Sequence, residues 1–153
     1  MIFQALLAGA SINALFAFGE ELGWRAYLLR ALSHQSFWKG SFIIGAIWGL
    51  WHTPLILMGH NYPQHPIVGV GMMTIWCILL APLFTYITMR AGSVIAAAVL
   101  HGMLNASAGL AIIYARGSDL LVGTTGLAGM LTLLLFWVLL YFLDKSKIWS
   151  NKF

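Results

Sequence analysis

Five long apolar runs separated by short polar breaks constrain this chain more than any other feature: approximately Met1 to Phe18, Gly40 to Met58, Ile67 to Met89, Ser93 to Tyr114 and Leu120 to Leu143. Each is near the roughly 20 residues that an α-helix needs to cross hydrocarbon. Composition removes the soluble alternative. Of 153 residues, 61% are hydrophobic and 8% charged, and so few charges cannot cover a water-facing surface. The predicted fold is an all-α polytopic membrane helix bundle of about five transmembrane helices. It forms one domain over residues 1–153, with any functional site in the bundle interior.

The formal charge of +4 does not point to nucleic acid, because the eight bases are scattered between apolar runs instead of forming a stripe. The single cysteine, Cys77, permits neither an internal disulfide nor a CxxC-type metal site, and its apolar surroundings suggest packing. The start, Met-Ile-Phe, has no preceding basic region and does not resemble a cleaved secretory signal. It reads as a membrane helix, leaving open whether further helices precede it.

Basic residues are retained on the cytoplasmic side of a membrane. Five alternating helices put Arg25, Arg30, Lys39, Arg90, Lys145, Lys147 and Lys152 on one face and only Arg116 on the other. The C-terminus is therefore expected in the cytoplasm, and the membrane is expected to be the plasma membrane of a prokaryote.

Three polar clusters interrupt the apolar background: Glu20-Glu21 with Arg25, Trp48 with His52, and His101 with Asn105. The first helix is expected to continue to about Leu32, since 19–32 holds good helix formers and no proline. It then carries ionisable groups at membrane depth, where each costs about 2.5–3.5 kcal/mol. Glu21 and Arg25 share a helix face in the favourable order for an ion pair. Glu20 lies about 100° around the helix, so it can address a neighbour. Counting at about 1.5 Å per residue from the expected cytoplasmic edges at Ser33, Lys39 and Arg90, Glu20, His52 and His101 reach similar depths, roughly 17–20 Å. Membrane histidines also serve as interhelical glue, but four such groups on three helices predict a shared site. His34, His60 and His65 fall in expected loops. The tryptophans are expected to pack or to anchor at interfaces.

In order and spacing, Glu20-Glu21-x-x-x-Arg25, Trp48-x-x-x-His52 and His101-x-x-x-Asn105 resemble the three motifs of the CAAX prenyl protease and bacteriocin-processing (CPBP) intramembrane protease family. The second motif usually begins with phenylalanine, and Trp48 is an aromatic variant. The motif core spans about 19–106. The resemblance implies an intramembrane endopeptidase with Glu20 as water-activating base, completed by His52, His101 and Asn105, with Glu21, Arg25 and Trp48 in support. It implies a peptide or prenylated protein as substrate, reached laterally from membrane lipid or from the cytoplasmic side. Bacterial members are also linked to bacteriocin maturation or self-immunity.

Elementary chemistry is compatible with these roles, since peptide hydrolysis needs a base for water and donors for the oxyanion. Glu20, His52 and His101 would also meet the ligand count of a catalytic zinc site, in which case Glu21 becomes the candidate base. No HExxH motif is present, and the reading inclines to no tightly bound metal, with a divalent ion such as zinc as the alternative. Two other classes remain: an inactive membrane scaffold or bacteriocin immunity factor, and a small proton-coupled transporter. Transport is disfavoured by the lack of two matching, Gly- or Pro-broken halves.

Overall fold

The computed structural model describes residues 2–114 and 116–143, with the side chains of 110–113 and 143 left out. Lys145, Lys147 and Lys152, on which part of the orientation expectation rests, lie outside the described residues. Among the described residues six helices follow in order: α1 (Ile2–Ala31), α2 (Phe37–Trp51), α3 (Thr53–Leu57), α4 (Pro66–Ala91), α5 (Val94–Tyr114) and α6 (Leu127–Leu143). Among the described residues there is no strand, as the period of the apolar runs predicts. α1 and α4 are long and apolar enough to cross a membrane. The outer surface agrees with a lipid solvent, since large apolar side chains such as Phe16, Leu135 and Phe142 are exposed.

Two expected boundaries are corrected. The run from Gly40 to Met58 is not one helix, because the chain breaks at His52 between α2 and α3. Pro54, in the first turn of α3, lacks an N–H and its ring would meet the carbonyl of Leu50 in a continuous helix. The last helix starts at Leu127, not Leu120. Gly123 has φ +84°, a left-handed conformation that glycine adopts without steric cost, so the preceding stretch forms turns. α1 reaches Ala31 as expected but contains two π-helical segments, Gly9–Asn13 and Leu22–Leu28. Such segments change how successive side chains are distributed around a helix, and they recur at functional sites.

α2 packs along α4, and α1 along α5. Gly45 and Gly49, one turn apart, make the first contact close. A Cβ on Gly49 would lie 2.5 Å from the Cα of Thr74, and one on Gly45 would lie 2.7 Å from the Cys77 carbonyl oxygen. This small-xxx-small spacing brings backbones together where apolar burial gives little driving force between helices, and it seats Trp48 between them. At the other contact, a Cβ on Gly102 would run into Gly9 and Ala14 of α1. The adjoining His101 is thereby pressed toward the first helix.

Candidate active site

Glu20 and Glu21 part company as the helical geometry predicts. Glu21 is fully buried and its carboxylate meets Arg25: Oε1 accepts a hydrogen bond from Nη1 at 3.2 Å, while Oε2 lies 3.1 Å from the same nitrogen without hydrogen-bond alignment. The Arg25 guanidinium lies over two aromatic rings, 4.6 Å from the centroid of Trp48 and 4.3 Å from that of Phe84. The negative ring faces add to the attraction that holds this buried cation. Glu20 is only part-buried and turns the other way. Its Oε2 accepts a hydrogen bond from the indole Nε1–H of Trp48 at 3.3 Å. Trp48 therefore contacts both acidic groups of the first cluster, one directly and one through Arg25.

The two histidines are oriented by groups that only accept hydrogen bonds. His52 Nδ1 lies 2.7 Å from the Trp48 carbonyl oxygen, and His101 Nδ1 lies 2.8 Å from Glu21 Oε1. A carbonyl oxygen and a carboxylate oxygen accept, so each Nδ1 is placed to donate, and in that neutral tautomer each Nε2 is left as an acceptor. The rings stay close to one another through Trp48, whose centroid is 5.8 Å from that of His52 and 5.4 Å from that of His101.

Glu20, His52, His101 and Asn105 all line one cavity of about 460 Å³. The four side chains singled out in the sequence are thus brought together, from α1, the α2–α3 junction and α5. Trp51 and Leu55, both exposed, also line this cavity, so its edge reaches the lipid-facing surface. His60, Asn61, Thr124 and Thr125 also line it, at the end of the bundle away from Lys39 and Arg90. The break at His52 ends α2 early and brings the following chain, with His60 and Asn61, to the cavity wall.

These loops are clasped together. Tyr62 donates its hydroxyl to the Thr125 carbonyl at 2.6 Å, and Asp119 accepts from the Gln64 backbone N–H and the His65 ring, both at 2.7 Å. Burial pushes the Tyr62 phenol up to about 12 despite that hydrogen bond. Burial also pulls the Asp119 carboxyl upward, but His65 and the Gln64 amide outweigh it and hold the group below its ordinary value. His60, expected only as a loop residue, and Asn61, Thr124 and Thr125, which the sequence does not single out, thus belong to the cavity wall. The available signals were Asn61, a residue type that tolerates the left-handed backbone it adopts (φ 60°), and two threonines between glycines.

The histidine tautomers suit a metal, since a ligating imidazole commonly donates its other N–H to a carboxylate or carbonyl. The positions do not. Among the described residues no group of three His, Cys, Asp or Glu could hold a metal ion, and Glu20, His52 and His101 do not form one chelating set.

Over residues 2–107 the chain matches the family model described as "Type II CAAX prenyl endopeptidase Rce1-like". It belongs to that family. It is also 34% identical over 93 residues to "CAAX prenyl protease 2" of Methanococcus maripaludis, a match covering 56% of this chain and 34% of the relative. The chain therefore spans about a third of the length of that curated relative. No solved structure matches it. The Rce1-like match contains all three polar motifs, from Glu20 to Asn105, and leaves α6 outside. Membership makes this helical bundle a membrane protein, in agreement with its apolar exterior.

Proposed function

We propose that this chain is an intramembrane endopeptidase of the CAAX-processing type, with Glu20 as the base that activates water. The observation that carries this reading is Glu20 held by the Trp48 indole on the wall of a cavity shared with His52, His101 and Asn105. Glu20 takes a proton from water, the resulting hydroxide attacks the scissile carbonyl, and the protonated carboxyl returns the proton to the departing amine. His52 and His101 present Nε2 as acceptors in their neutral forms, which suits them to orienting the water. Asn105 carries a permanent N–H₂ donor and is the group assigned to the developing oxyanion. Glu21, Arg25 and Trp48 keep these groups in register.

The substrate is a peptide or protein with an attached prenyl chain, reached along the exposed edge at Trp51 and Leu55, where lipid-soluble and polar parts can be accommodated together. The protein resides in the plasma membrane of a prokaryote with its C-terminus in the cytoplasm. The test is peptide release in detergent from a farnesylated CAAX peptide and from its unprenylated twin. Cleavage of the farnesylated peptide is expected. Cleavage of neither would remove the CAAX-type reading, and equal cleavage of both would remove the prenyl requirement.

A further inference from the structure

A second cavity, of about 400 Å³, lies between the loop that follows α3 and the loop that precedes α6. It adjoins the Glu20 cavity, since His60, Asn61, Ala108, Thr124 and Thr125 border both. Ala108 follows Asn105 at i, i+3 on α5 and so shares its helix face. The second cavity therefore begins beside the group assigned to the oxyanion. Both volumes fall in the range of about 300–1,000 Å³ typical of ligand sites. The shared wall offers neutral polar groups. Asn61 holds a left-handed backbone, φ 60°, a conformation that gathers at ligand clamps. Its amide makes one long contact, from Nδ2 to Met73 Sδ at 4.0 Å, which leaves a second N–H and the carbonyl oxygen for a ligand. Asp119, the acid on the lining, is already engaged by the His65 ring and the Gln64 N–H, and no lysine or arginine borders the cavity.

We infer, resting on the peptidase reading, that the second cavity holds the leaving segment of the substrate, the residues on the carboxyl side of the scissile bond. Asn61, Thr124 and Thr125 recognise this segment through its peptide groups. Each peptide group carries one donor and one acceptor, and an asparagine amide can meet both. The direction follows from placement. The cavity lies at the end of the bundle away from Lys39 and Arg90, and a protein body held at that basic, cytoplasmic end can send only its free end so far. The prenyl chain stays at the edge formed by Trp51 and Leu55, which border the Glu20 cavity and not the second one.

The test reads binding apart from turnover, on the whole chain in neutral detergent carrying Glu20→Gln. Two fluorescent farnesylated peptides are compared, one with three residues after the modified cysteine and one with a single residue. Both carry a C-terminal amide, so their charge is the same. The longer peptide is expected to bind about tenfold more tightly, the worth of one or two added hydrogen bonds. Adding Ala108→Phe, which puts a bulky ring where the two cavities meet, should bring the ratio of affinities to about one. Asn61→Gly is the second variant, because glycine keeps the left-handed backbone while deleting the amide. It should lower the ratio by about fivefold. Equal affinity for the two peptides, or binding of neither, would overturn the inference, as would a preference that both variants leave intact. Length-dependent binding without cleavage of the longer peptide by the wild type would support the site and remove the peptidase reading.

Discussion

Glu21 Oε1 lies 2.8 Å from His101 Nδ1, so the carboxylate that neutralises Arg25 also orients a histidine from a helix 80 residues further along the chain. This single contact couples the first and third motifs. Glu21→Gln would leave Arg25 as a buried charge without its counter-ion, a loss of about 3–5 kcal/mol. Thermal unfolding in detergent should show a large drop, and a second substitution, Arg25→Met, should recover much of it. An unchanged melting temperature in the single variant would refute the structural role.

Trp48→Phe keeps an aromatic face for Arg25 but deletes the N–H that Glu20 accepts. A hydrogen bond to a charged group is worth about 1.5–3 kcal/mol, of which catalysis feels the part lost through looser positioning. We expect kcat to fall by up to about 10-fold with KM little changed. Identical kcat would show that the indole does not position the carboxylate.

The loop clasp gives a pH dependence. The folded Asp119 carboxyl is more acidic than in the unfolded chain, so its stabilisation is complete above the ordinary carboxylate value and is lost as pH falls through the depressed one. For Tyr62 the sign reverses. Its stabilisation is complete below about 10 and disappears as pH rises through about 12. Melting temperature against pH should fall at both ends, and Asp119→Asn should flatten the acid limb alone. An acid limb unaltered by that substitution would count against the clasp.

Orientation can be read with single cysteines, because Cys77 is buried. In cells, Thr124→Cys should react with a membrane-impermeant maleimide, and Lys39→Cys only after permeabilisation. The reverse pattern would invert the topology inferred from the basic residues.

Much of this architecture was legible in the sequence because membrane helices obey a simple rule: apolar length predicts a span. The i, i+4 spacing likewise anticipated the Glu21–Arg25 pair, and the 100° offset anticipated Glu20's separate direction. Other features depended on non-local contacts. Glu21 meeting His101 requires the close approach at Gly102, which no local pattern announces. The break at His52 was legible in Pro54 but outweighed by the continuous apolar run. The contributions of His60, Asn61, Thr124 and Thr125 arise only when two distant loops fold against each other.

The most direct test of the account is the rate of peptide release by Glu20→Gln, measured beside its melting temperature. The side chain keeps its shape and can still accept from Trp48, but it loses the basicity that water activation needs. The account predicts a fall of about 10²–10⁴-fold in kcat with the melting temperature close to wild type. Wild-type turnover in a folded Glu20→Gln protein would contradict it.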